Sequence, residues 1–264
     1  MKIFVWTKKN VLLYMLLICG ITSLICFNWN ETVSVFKDGA KRDLPIYCVD
    51  KQEKICALSF DAAWGNEDTK LLIKELGDYD VKATFFIVGS WADKYPESVK
   101  ELFDAGHEIM NHSDSHPHMT QISKDKMIEE VNSCSAKIEK LTGVKPILFR
   151  PPYGDYNNLV VQTMRETGHY TIQWDVDSLD WKDLTAQAIY ERVTSRINPG
   201  SIVLFHNAAK HTPEALPMIL KYLKDNEYEI VPVSELIYKD NFIVDNTGKQ
   251  IYNATEQKNE NNIN

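Results

Sequence analysis

Between residues 44 and 240, short runs of β-branched and aromatic residues alternate with longer amphipathic stretches, and this alternation narrows the possible folds more than any other feature. The strand candidates are 55–60, 84–88, 108–112, 147–150, 170–176, 201–206 and 229–233. Helix candidates lie between them at 67–76, 96–105, 124–141, 158–167, 185–197 and 213–224. Gly106, Gly143 and Gly168 each follow such a stretch, where glycine is the expected helix stop. Seven strands alternating with helices predict an α/β protein, its parallel sheet either closed as a (β/α) barrel or open and doubly wound.

The flanks read differently. Residues 11–27 carry no charge, and the run extends through Trp29. At about 1.5 Å per residue its 19 positions span roughly 28 Å, close to the apolar thickness of a bilayer. No small-residue cleavage site of the A-x-A type follows, so 11–29 reads as an uncleaved transmembrane signal anchor. Lys2, Lys8 and Lys9 precede it, which assigns 1–10 to the cytoplasm and the remainder to the outside of the cell membrane. Residues 30–44 read as a stem, 45–240 as the folded domain, and 241–264 as a polar, disordered tail. Beyond residue 30 there are 26 basic against 37 acidic residues, a balance that argues against a nucleic-acid partner. Cys48, Cys56 and Cys134 are an odd number for the outer part, which leaves at least one unpaired, and Cys56 in an apolar run and Cys134 on a helix are read as buried thiols.

Reactive residue types cluster at the strand ends. Asp61 follows the first strand, His112 ends the third and Arg150 the fourth, Asp177 and Asp180 follow the fifth, and His206 ends the sixth. In a parallel barrel these ends share one face, the face that carries active sites. His112 and His116 stand at i and i+4, the spacing that aims two imidazoles along one face of a helical turn toward a metal. His118 follows Pro117, which breaks the turn, and is read either as a support behind the two ligands or as incidental. Amide hydrolysis needs an activated water, a stabilised oxyanion and a protonated leaving nitrogen, and a carboxylate and an imidazole can divide the proton transfers.

Five segments carry a family resemblance: Ser59-Phe60-Asp61-Ala62, His112-Ser113-Asp114-Ser115-His116, Arg150-Pro151-Pro152-Tyr153-Gly154, Asp177-Ser178-Leu179-Asp180-Trp181 and Leu204-Phe205-His206. In this order they resemble the motifs of the polysaccharide deacetylases, the NodB-homology or carbohydrate esterase family 4 group. The anchor and the run Ser59 to Gly65 are similar to its PdaB-type sporulation branch. The resemblance implies a distorted (β/α) barrel of about seven parallel strands that removes N-acetyl groups from amino sugars of peptidoglycan, spore cortex or a related glycan. It implies Asp61 as general base with Arg150 as its partner, and His206 as general acid with Asp180 as its partner. It further implies Tyr153 as the backbone oxyanion donor, Trp181 and Leu204 as the walls of an acetyl-methyl pocket, and His112 and His116 as ligands of a divalent metal such as Zn2+. The family's first motif has a second Asp as metal ligand, and this chain has Ala62 there. The metal is therefore expected to be weakly held, with Glu67, Asp68 and Asp114 as candidates to complete its shell. The same loss supports an alternative, a catalytically impaired protein that binds glycan in the same groove. Asp61→Asn is expected to abolish turnover and leave folding intact.

Overall fold

The computed structural model describes residues 42–253. The anchor at 11–29, nearly all of the stem, and the tail from 254 lie outside the described residues. Among the described residues no helix is long and apolar enough to cross a membrane.

The chain forms a curled half-barrel of parallel strands covered by helices. Strand β1 (Cys48–Val49) precedes the sheet, which is built from β2 (Ile55–Ala62), β3 (Thr84–Ile87), β4 (Glu108–Asn111), β5 (Leu148–Phe149), β6 (Tyr170–Thr171), β7 (Val176–Asp177) and β8 (Ile202–His206). Their spatial order is β6-β5-β4-β3-β2-β8-β7, and β9 (Glu229–Ile230) pairs with the start of β2. The single strand expected at 170–176 is two strands at opposite edges of this sheet. The residues between them are diverted: Gln173 N–H donates to Ile46 O at 2.7 Å, and the Asp175 carboxylate accepts from Ser201 and Ile202. Apolar periodicity alone cannot distinguish such a crossing from a continuous strand.

Sheet alternation sorts β2 into two faces. Cys56, Leu58, Phe60 and Ala62 enter the core beneath the helices, while Ala57, Ser59 and Asp61 face the barrel interior. Phe60 stacks on its register partners Phe85 and Phe205 at 4.8 and 5.3 Å, contacts that add about 0.5–1.5 kcal/mol each beyond area burial. Ala57, Phe86, Met110, Leu148, Ile172 and Ile202 fill the interior below, so the strand-end polar residues stand on an apolar floor.

The helices fall close to where periodicity places them, at Thr69–Asp78, Pro96–Asp104, Lys124–Thr142, Asn158–Glu166, Ala186–Thr194 and Thr212–Asp225. Ser123, Asn157 and Thr185 cap three of them through side-chain oxygens. A short helix at Gly89–Lys94 was not anticipated, because six residues are too few to show a period. Part of the expected disordered tail is structured: β10 (Phe242–Val244) and β11 (Lys249–Tyr252) form a hairpin, and β11 pairs with β1. Asp245 closes the turn through Thr247 and Lys249, with Gly248 at φ 86, and the one buried residue of the two strands, Gln250, ties the hairpin to Tyr238 by two hydrogen bonds, a contact that mean polarity does not show. Cys48, Cys56 and Cys134 are free, and burial pushes the Cys56 and Cys134 thiols up to about 12, so both stay protonated.

Candidate active site

Register places the two proton-transfer candidates side by side. Asp61 of β2 and His206 of β8 are partners in the parallel ladder, and strands there lie about 4.8 Å apart. Both line a cavity of about 490 Å³ at the C-terminal ends of the strands, together with His112, His116, Tyr153, Trp181 and Leu204. Arg150 and Asp180 stand behind it, each bonded to one of the two.

Arg150 is fully buried, and its guanidinium donates to Asp61 Oδ1 at 2.7 Å, Ser59 Oγ at 2.8 Å and Gln173 O at 3.2 Å. The Phe86 ring covers it at 4.1 Å. Burial alone would raise the Asp61 carboxyl, yet the charge and hydrogen bond of Arg150, aided by His206, outweigh it and hold Asp61 below the ordinary carboxylate range. The second oxygen, Oδ2, faces His112 Nε2 at 3.5 Å. Asp61 is thus an ionised, oriented base.

His206 has the opposite environment. Its Nδ1–H donates to Asp180 Oδ1 at 2.8 Å, while its backbone N–H and Thr212 Oγ1 donate to Asp180 Oδ2 at 2.8 and 2.7 Å. Burial would lower the imidazole, but the bond and charge of Asp180, aided by Asp61 and Asp177, raise it above the usual histidine value. One carboxylate kept ionised beside one imidazole kept protonated is a matched base and acid.

The two remaining histidines converge by a different route from the helical turn expected. Ser113 and His116 both take left-handed backbone, at φ 66 and 62, so 112–116 is a looped segment. Buried Glu130 holds it by accepting from Asp114 N, Ser115 N and Ser115 Oγ at 2.7–3.0 Å, and Ser113 Oγ accepts from His116 N at 3.0 Å. The rings meet edge to face with centroids 4.9 Å apart. His112 Nδ1–H donates to Arg150 O at 2.7 Å, which leaves Nε2 as a lone pair directed at the cavity. Burial pushes both imidazoles down, His116 to about 4, so both are neutral, as metal ligands must be.

These two donors fit a divalent ion but leave its shell short. Among the described residues no three His, Cys, Asp or Glu side chains form a metal-binding group. Ala62 pairs with Ile87 and carries its methyl on the Phe60 face of the strand. Of the expected substitutes, Asp114 pairs with Lys137 at 2.6 Å and Glu67 accepts from Asn66 N at 2.9 Å, while Asp68 accepts from Ala208 N at 2.8 Å through one oxygen and buries the other without a hydrogen-bond partner. Zinc content after dialysis is therefore expected to fall below one equivalent in the wild type and to nothing in His112→Ala. A full equivalent retained by the wild type would mean that another side chain completes the shell.

Tyr153 has φ 61 in the Arg-Pro-Pro-Tyr-Gly segment, and its ring stacks on His118 at 4.1 Å and meets His116 edge-on at 4.5 Å. His118 therefore stands behind the site against Tyr153, the supporting one of its two expected readings. Gly154 follows at φ 66, where a Cβ would approach the Trp174 ring to 3.0 Å. Leu204 is buried in the cavity wall and Trp181 stands exposed at its mouth. Sequence reasoning missed Trp64, Gln173, Trp174 and Glu130. The middle two lie inside what reads as one strand, and Glu130 lies on a helix where an acidic residue is ordinary.

Residues 49–172 match the family described as polysaccharide deacetylase. The chain is 33% identical over 73% of its length to the protein YlxY of Bacillus subtilis, and 36% identical over 71% to the peptidoglycan-N-acetylmuramic acid deacetylase PdaC of the same organism. It spans 60% of the first relative and 40% of the second. Among solved structures, a wild-type carbohydrate esterase family 4 pseudoenzyme from Bacillus anthracis superposes with a TM-score of 0.71 at 35% identity, covering 73% of this chain and 68% of that one.

Proposed function

The chain belongs to the polysaccharide deacetylase family, the carbohydrate esterase family 4 group, and from that membership we propose that it hydrolyses N-acetyl groups on the amino sugars of peptidoglycan or a related glycan. The observation that carries the reading is the placement of Asp61, bonded to Arg150, beside His206, bonded to Asp180, on adjacent strands in one cavity. Asp61, steered by Arg150, takes a proton from the attacking water as its oxygen bonds to the acetyl carbon. The Tyr153 backbone N–H would donate to the oxyanion. His206 delivers its proton to the sugar nitrogen as the C–N bond breaks, giving acetate and a free amine. Leu204 and Trp181 confine the acetyl methyl. A divalent ion held by His112 and His116 would supply Lewis-acid polarisation and a more acidic water.

A second reading, glycan binding without turnover, is favoured by Ala62 and by the pseudoenzyme relative. Acetate release from peptidoglycan by the purified chain, before and after restoring Zn2+ to dialysed protein, separates the two. Release that rises with added metal supports hydrolysis. Retained glycan binding with no acetate under either condition puts the binding reading first.

The run at 11–29 supports a single membrane span that holds the domain outside the cytoplasm, and the run Ser59 to Gly65 supports placement in the sporulation branch. Full-length protein is expected in the membrane fraction. Recovery of most of it from the medium, with a new N-terminus between residues 25 and 35, would overturn the anchor.

A further inference from the structure

We propose that Asn111 is a positioning residue for the two histidines, its side chain fixing the backbone that aims His112 and His116 at one ion; this rests on the metal-assisted reading above. Asn111 is the last residue of β4, directly before His112, and is fully buried. It falls on the helix-facing side of the strand, the side of Ile109. An apolar side chain would serve packing there, whereas an amide must find every partner inside the protein.

Asn111 finds them all. Nδ2 donates to Val131 O at 2.8 Å and to Ser135 Oγ at 2.9 Å, both on the helix Lys124–Thr142, and Oδ1 accepts from Ser113 N at 2.8 Å. A flipped amide would set donor against donor at Ser113 N and acceptor against acceptor at Val131 O, so its orientation is unique. The helix anchors the amide, and the amide presents its oxygen to the loop. A bond to the N–H two residues on is a turn that asparagine favours, and here it holds Ser113 in the left-handed conformation that a serine rarely adopts. Ser113 Oγ then accepts from His116 N at 3.0 Å. His112 is therefore fixed by its neighbour, and His116 is fixed through Ser113. The main chain of Asn111 adds a clasp, since Arg150 N donates to Asn111 O at 3.0 Å and Arg150 O accepts from His112 Nδ1 at 2.7 Å. Glu130 grips the loop at 114 and 115, and Asn111 grips it at 113, between the two histidines. Without that grip the loop takes its ligating shape only part of the time, and the apparent affinity for metal falls by that fraction.

The test is calorimetric titration of full-length protein with Zn2+, read beside the melting temperature, so turnover is not needed. Asn111→Ala is expected to weaken zinc binding by about 10–100-fold, the range for residues that orient metal ligands. Asn111→Ser, whose hydroxyl makes the same turn bond more weakly, lies between, and it carries the test by itself if the alanine variant does not fold. Leu223→Ala removes a fully buried side chain from the helix Thr212–Asp225, which packs on Thr69–Asp78 and Ala186–Thr194, and is expected to lower the melting temperature with zinc affinity unchanged. Asn111 variants that bind zinc as wild type does overturn the positioning role and leave the metal reading intact. A Leu223→Ala protein that loses zinc affinity in step with its melting temperature also overturns it, because the loss then tracks stability alone. Wild type that takes up no zinc removes the metal reading and the proposal together.

Discussion

Asp61→Asn is expected to lower acetate release by more than about 10²-fold and also to destabilise the fold by about 3–5 kcal/mol. The second effect corrects the expectation that Asn, matching Asp in size, leaves folding intact. Arg150 is fully buried, and Asp61 is the carboxylate that compensates its charge. Asn can still accept one hydrogen bond from the guanidinium, but it leaves a buried cation without a counterion. For a domain of this size the loss corresponds to a fall in melting temperature on the order of 10 °C. Asp61→Asn combined with Arg150→Met separates the two consequences. Removing both charges and filling the space with an apolar chain under Phe86 is expected to recover most of the stability and none of the activity. Thermal melts and acetate assays on the wild type, the single and the double variant check this. A single variant that melts with the wild type would show that the pair contributes no net stability, and one that also releases acetate normally would remove Asp61 as base.

The strand ends were legible because period-2 runs bounded by glycine-stopped helices leave little choice of topology, and a parallel sheet brings such ends together whatever lies between them. Asp61 facing His206 follows from two runs, Ser59-Phe60-Asp61 and Leu204-Phe205-His206, pairing with their phenylalanines stacked. The opening of the barrel was not legible. It depends on Gln173 and Asp175 bonding outside the strand pattern, and these contacts join residues more than 25 apart. The histidine loop was legible in residue type but not in shape. The spacing of His112 and His116 suits a helix, and only buried Glu130, from a later helix, shows how left-handed Ser113 and His116 are stabilised instead. Trp64 escaped notice for a related reason, since the hydrogen bonds to its carbonyl come from Asn207 and Trp91, neither of them near it in sequence.

The other half of the proton-transfer pair gives a prediction that requires no turnover to read. Asp180 accepts from His206 Nδ1, His206 N, Thr212 Oγ1 and Trp181 N, all between 2.7 and 2.9 Å. Asn offers one acceptor oxygen and an amino group, so Asp180→Asn sets donor against donor on one side and removes the charge that raises His206. Burial then acts with less opposition and lowers the imidazole. Catalysis needs the protonated form, which in the wild type persists above the ordinary value of about 6.5. In the variant it is lost at lower pH, so the alkaline limb of the rate profile moves down and the rate at neutral pH falls by about 10²–10⁴-fold. Stability follows the same sign. The stabilisation from protonated His206 is fully present below the unfolded value and disappears as pH rises through the raised folded value, so the gap between wild type and variant should be widest in acid and narrow in alkali to the constant cost of the mismatched bonds to His206 N, Thr212 and Trp181. An NMR titration of the His206 ring reads the shift directly, even in a protein that releases no acetate. A variant whose His206 titrates where the wild type's does would separate Asp180 from the acid, and leave the His206–Asp180 contact as packing alone.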